Sequence, residues 1–110
     1  MEESIKTIDL QSVLNDIKPI LLENGEIISR IGIFGSLAKG HLNANSDIDI
    51  AIEFNPGESF DFDRFVRYCE VCESLRESFA GIYNRNIDLV HVEDSEESFL
   101  NEIKQEVIWV

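Results

Sequence analysis

Residues 47–54 read Asp-Ile-Asp-Ile-Ala-Ile-Glu-Phe, and this alternation constrains the fold more than any other stretch of the chain. Side chains two apart share a face of a strand, so Ile48, Ile50, Ile52 and Phe54 form one face and Asp47, Asp49, Ala51 and Glu53 the other. The apolar face must lie on a core, which leaves the carboxylates facing a cleft. Asp47 and Asp49 then point the same way and repel. A buried carboxylate without a partner is costly, so the pair calls for a cation or for protonation. A hard divalent ion such as Mg2+ answers that need, because it prefers carboxylate oxygens and brings phosphates with it.

Ten residues separate Asp47 from a Gly35-Ser36 turn that closes an isoleucine-rich run over 27–34. Such a turn suits a phosphate: it offers backbone N–H groups, a hydroxyl and the start of a short helix over 36–39 that Gly40 closes. Gly35 lets the backbone come close with no Cβ in the way. A third acid, Asp88, stands between Ile87 and Leu89 in another strand-like run over 86–92. Aspartate is depleted in strands, so Asp49 and Asp88 at mid-strand positions need a reason other than structure. Other phosphate and cation motifs fail. The stretch from Gly35 to Gly40 begins like a P-loop, but His41-Leu42 stands where Lys and Ser/Thr are required, and no G-x-G-x-x-G occurs. An EF-hand would need ligands where Ala51 and its apolar neighbours stand.

The remaining periodicity fills in a layered α/β (α+β) domain of order α-β-α-β-α-β-α. Leu10, Val13, Leu14, Ile17 and Leu21 mark a helix over 9–23 that contains Pro19 and ends at Asn24-Gly25. Asn55-Pro56-Gly57 makes a turn. Phe62, Phe65, Val66, Cys69, Cys72 and Phe79 mark a long helix with Ser59 or Asp61 as N-cap. Residues 94–97 resemble a capping box for a last helix carrying Phe99, Leu100, Ile103 and Val107. Val107-Ile108-Trp109-Val110 is apolar to its last residue. That tail either packs as a final strand or helix turn on its own core or, with the long helix, offers a surface to a partner. Cys69 and Cys72 form a C-x-x-C with no second pair for zinc and no helix start beneath them, which predicts inert thiols buried on one helix face.

At 110 residues the chain is expected to form one domain over 1–110, with enough apolar content (44%) for a real core. No apolar run approaches a membrane span and the Met1-Glu2-Glu3-Ser4 start is too acidic for a secretory signal, so a cytoplasmic location is expected. Nine Lys and Arg against 22 acidic residues, a net charge of −13, argue against direct polynucleotide binding. The same charge serves solubility or a basic partner surface.

The Gly35-Ser36 turn, the ten-residue gap, Asp47-x-Asp49 and the later strand Asp88 together resemble the signature of the polymerase-beta-like nucleotidyltransferase superfamily. The short length resembles its minimal nucleotidyltransferases, the partners of HEPN-domain proteins in toxin–antitoxin pairs. That resemblance implies a small mixed sheet flanked by helices. It also implies transfer of a nucleoside monophosphate, AMP from ATP, to a hydroxyl with two Mg2+ ions or Mn2+ in their place. Asp47 and Asp49 would touch both ions. Asp88 would help hold the catalytic ion and take or orient the acceptor's proton, while Gly35, Ser36 and Lys39 would meet the phosphates. Family members often carry Arg directly after Gly-Ser, where this chain has Leu37; Lys39 is the nearby cation, Arg30 could substitute, and His41 and His91 are possible proton shuttles. Only 22 residues follow Asp88, so the acceptor platform is expected from a HEPN toxin or from a homo-oligomer. The acceptor implied is a tyrosine of the toxin, which makes this chain an antitoxin. Two other roles are compatible: a non-catalytic antitoxin that binds nucleotide and blocks its partner by contact, and a transferase acting on a small molecule such as an antibiotic.

Overall fold

The computed structural model describes residues 8–41, 43, 46–59, 61–92 and 106–110. The elements run α1 (Leu10–Glu23), β1 (Ile28–Phe34), α2 (Gly35–Lys39), β2 (Ile48–Phe54), α3 (Phe62–Tyr83), β3 (Ile87–His91) and β4 (Ile108–Trp109). The strands form one mixed sheet in the order β3-β2-β1-β4, with β2 and β3 parallel and both β1 pairings antiparallel. The six elements expected up to the third strand are all present, in that order. The last helix expected from residues 94–97 onward falls almost wholly on 93–105, outside the described residues.

Alternation along the strands sorts the sheet into two faces. Ile31 and Ile33 of β1 pair with Ile52 and Ile50, and Ile48 and Ile50 lie beside Ile87 and Leu89. These side chains form the main core with Val13 and Ile17 of α1 and Tyr68, Cys72, Leu75, Phe79 and Tyr83 of α3. Helix α1 begins where the Asp9 carboxylate accepts from the Ser12 N–H at 2.8 Å. Helix α3 begins at Asp61, not Ser59: the Asp61 side chain caps the Asp63 and Arg64 N–H groups. It ends at Asn84, whose left-handed backbone suits a C-cap. The Tyr83 hydroxyl donates to Asp16 and so ties the end of α3 to α1. Burial and that carboxylate push the Tyr83 phenol above its ordinary range.

Two expectations about packing need correction. Phe62 and Val66 are 67% and 37% exposed and do not join the core, whereas Phe65 between them packs against it. The buried stripe is instead Tyr68, Cys72, Leu75, Phe79 and Tyr83, at spacings of four, three, four and four. Of the two cysteines only Cys72 is buried; Cys69, one position off the stripe, is exposed. Burial pushes the Cys72 thiol up to about 11, which keeps it unreactive.

The opposite face of the sheet is not left wholly to a cleft. Phe34, Ala51 and Val92 are buried there in a second small core with Val90, Val107 and Trp109. Trp109 pairs with Gly32, and a Cβ on Gly32 would lie 2.8 Å from the Ile108 carbonyl and 2.9 Å from the Trp109 ring. The Arg30 guanidinium lies 4.0 Å from the centre of that ring, and the Val110 N–H donates to the Ile31 carbonyl at 2.9 Å. The tail therefore packs as a fourth strand on its own sheet. Deleting residues 108–110 should cost roughly 2–3 kcal/mol, because an aromatic packed against a glycine step leaves a hole that cannot close. Thermal melts should show a fall on the order of 10 °C for a chain of this size. A truncated protein that melts like the full chain would show that β4 adds nothing to stability.

Candidate functional site

Three cross-sheet rows order the second face. Arg30 lies opposite Glu53, with a 3.2 Å ion pair between them. Trp109, Gly32, Ala51 and Val90 make the next row. Phe34, Asp49 and Asp88 make the last, at the end where β1 runs into α2. The small core thus occupies the middle of this face, and the carboxylates hold one end of it.

Asp49 and Asp88 are direct neighbours because β2 and β3 are parallel and in register: Asp49 pairs with Asp88 as Ile48 pairs with Ile87. Partial burial pushes the Asp49 carboxyl up to about 6, with the charges of Asp88 and Asp47 and a hydrogen bond to Asp88 adding to it. Asp49 and Asp88 are thus a pair of acids short of positive charge. The donors are all carboxylate oxygens, the chemistry that hard divalent cations select. Asp47 is exposed at the entry to β2 and lies within electrostatic reach of Asp49. Among the described residues no three His, Cys, Asp or Glu side chains already converge on one point as ion ligands. Two carboxylates are gathered, and the third stands one residue outside the strand. The chemistry of these donors fits a hard divalent cation, which Asp49 and Asp88 would hold and Asp47 could join.

Gly35 adjoins this pair. Its φ is +70°, and a Cβ there would run into the Asp49 carboxylate, only 3.0 Å from its Cγ. A side chain is excluded twice, by backbone conformation and by the acid. Phe34 is extended, and Gly35 and Ser36 open α2, whose first-turn N–H groups have no partners inside the helix. Gly40, at φ +77°, caps its end.

The expected cations are engaged elsewhere. Leu37 is buried in the main core, so the position after Gly-Ser faces inward. The Lys39 ammonium lies 2.9 Å from Glu106. Arg30 lies within β1 and is held by Glu53 and Trp109, two rows from Asp49. His91 lies beside Ile52 on the helix-covered face, with its Nδ1 2.5 Å from the Tyr68 hydroxyl. His41 is exposed, and its N–H donates to the Ser36 carbonyl at 2.8 Å. One basic residue was missed. Arg85, in the turn between α3 and β3, donates from Nη1 to the carbonyls of Asn43 and Ser46, the latter at 2.8 Å. Nothing local in the sequence marks it, because its partners are backbone groups some 40 residues away.

Residues 15–110 match the family described as "Polymerase beta, Nucleotidyltransferase". The chain belongs to this nucleotidyltransferase family. It is 30% identical over 104 residues to "Putative protein adenylyltransferase MJ1379" of Methanocaldococcus jannaschii, a match covering 88% of this chain and 97% of that protein. A further relative from that organism, "Putative protein adenylyltransferase MJ0435", is 46% identical over 50 residues; there the match covers 42% of this chain and about half (52%) of the relative. Among solved structures, a "putative minimal nucleotidyltransferase" superposes with a TM-score of 0.64 at 20% identity, covering 94% of this chain and 97% of the other. A toxin–antitoxin with AMP-PNP superposes with a TM-score of 0.62 at 23% identity, covering 86% and 69%. Among the described residues, no helix is long and apolar enough to cross a membrane.

Proposed function

We propose that this nucleotidyltransferase moves AMP from ATP to a hydroxyl of a partner protein, a tyrosine of a cognate HEPN toxin, and so acts as its antitoxin in the cytoplasm. The observation that carries the reading is the Asp49–Asp88 pair, side by side across β2 and β3 with Gly35 held open against it. Asp47, Asp49 and Asp88 would hold two Mg2+ ions, or Mn2+. When bound, these ions lower the pKa of the attacking hydroxyl and neutralise the leaving pyrophosphate. Gly35 and Ser36 seat the triphosphate through backbone N–H groups and the serine hydroxyl. Lys39 is the side chain that could add a charge to the phosphates, by leaving Glu106. Asp88, at the exposed edge of the sheet, takes the proton of the acceptor hydroxyl. The hydroxyl oxygen bonds to the α-phosphorus, and the bond from that phosphorus to pyrophosphate breaks. The adenylyl donor is supported by the name of the M. jannaschii relative, and the partner by the fold shared with a toxin–antitoxin holding AMP-PNP.

A second reading, neutralisation by contact with nucleotide only bound, draws on the burial of Leu37 and the pairing of Lys39 with Glu106. Titration calorimetry and labelling separate the two. ATP should bind only with Mg2+ or Mn2+, AMP should bind far more weakly, and α-labelled ATP should mark the co-purified partner. Metal-dependent binding without labelling would favour the contact reading. Equal ATP affinity in EDTA would refute the metal site itself.

A further inference from the structure

Asp47 lies outside the strand ladder, so the sheet does not place it as it places Asp49 and Asp88. Its position depends on the segment before it. The Ser46 N–H donates to the Asn43 carbonyl at 3.1 Å, and the Asn43 N–H donates to the Ser46 hydroxyl at 3.1 Å. Of its two described ends, Asn43 is exposed and Ser46 half-buried. Arg85 supplies an anchor: Nη1 bridges the carbonyls of Asn43 and Ser46, both ends of the turn. Arg85 is fixed in its own place by its N–H, which donates to the Ala80 carbonyl at 3.3 Å behind the left-handed Asn84 cap. Three residues further along the chain is Asp88, and the intervening Asn86 carbonyl accepts the Ile48 N–H at 3.0 Å.

We propose that Arg85 is a positioning residue: its guanidinium ties the backbone before Asp47 to the segment carrying Asp88, which keeps Asp47 within electrostatic reach of the Asp49–Asp88 pair. The proposal rests on the metal-site reading given above. A guanidinium is suited to the task, because Nη1 carries two N–H groups in one fixed plane, one for each carbonyl, and the group stays charged at any working pH. It adds a second benefit: a fixed positive charge beside a turn that leads into three acids. Lysine keeps the charge but loses the reach and the fixed planar geometry of the guanidinium, so the two contributions can be separated.

The test compares wild type with Arg85→Ala and Arg85→Lys on purified full-length chain. Hydrogen exchange in the metal-free protein should show faster exchange confined to residues 43–48 in both variants, with the amides of α1 and α3 unchanged. Mn2+ binding followed by electron paramagnetic resonance should weaken at least tenfold in Arg85→Ala and by less in Arg85→Lys, with free guanidinium restoring part of the loss. Exchange that rises across the whole domain would make Arg85 an ordinary fold residue and overturn the proposal. So would unchanged Mn2+ affinity in Arg85→Ala. A wild-type chain that binds no Mn2+ would instead overturn the metal-site reading on which the proposal stands.

Discussion

Asp49→Asn is expected to abolish nucleotidyl transfer while raising the stability of the metal-free protein. The exchange keeps the shape of the side chain and its ability to hydrogen-bond Asp88, and removes a charge that the site without metal cannot compensate. The Asp49 carboxyl is displaced from 3.8 up to about 6 by partial burial first and by its acidic neighbours second. A folded-state pKa above the unfolded one means that the folded protein holds this proton more tightly. The stability this contributes is complete below pH 4 and is lost as the pH rises through about 6. At pH 7 the wild type therefore folds against an unprotonated Asp49, and Asn removes the penalty. The displacement is worth at most about 3 kcal/mol, and solvent reaching the half-buried group reduces it to about 1–2 kcal/mol. Melts in EDTA should place Asp49→Asn a few degrees above wild type at pH 7 and close to it near pH 4.5. Mg2+ should stabilise wild type and leave the variant unmoved. A variant that melts well below wild type, or still labels its partner at the wild-type rate, would refute the role given to Asp49.

Gly35→Ala should damage transfer severely through a single methyl group. Alanine at φ +70° costs about 1–2 kcal/mol by itself. The new Cβ must also displace the Asp49 carboxylate, and a movement of about 1 Å at a reacting centre can cost on the order of 100-fold in rate. Transfer should fall by at least that factor, with ATP affinity falling in parallel because the same turn would seat the phosphates. Gly40→Ala is the matched control: its φ is +77°, and among the described residues nothing beyond its chain neighbours lies within 4 Å of the added Cβ. It should pay the backbone cost and keep its activity. If both variants lose activity equally, the effect belongs to α2 as an element. If Gly35→Ala alone loses it, the contact with Asp49 is responsible.

Most of the site was legible because its parts are local. The i, i+2 pattern of Asp47 and Asp49, the Gly35-Ser36 turn and the lone strand acid Asp88 each break a propensity rule, and each break could be seen within a few residues. Two helix starts were legible for a similar reason: Asp9 and Asp61 cap N–H groups within three residues of themselves, whereas the Asn84 cap at the end of α3 was not read from the sequence. The misreadings involve residues whose surroundings come from far along the chain. Phe62 and Val66 have a helical spacing that fits a core face, but the sheet lies under the stripe beginning at Tyr68. Arg30 and Lys39 could be counted as cations, yet their charges are taken up by Glu53 across a strand pair and by Glu106 near the end of the chain.

By itself, the sequence determined the order of the elements up to the third strand, the acidic face of β2 and the residue types at the candidate site, because periodicity and backbone propensity act over a few residues. The tertiary structure decided three further matters. Parallel, in-register pairing of β2 and β3 made Asp49 and Asp88 neighbours, although 39 positions separate them. Pairing of β4 with β1 at Gly32 turned an apolar tail into part of the sheet and filled half of the face expected to be a cleft. The Arg85 bridge anchored the turn ahead of Asp47. Each of these depends on strand register or on a side chain meeting a distant backbone, and those relations exist only once the sheet has closed.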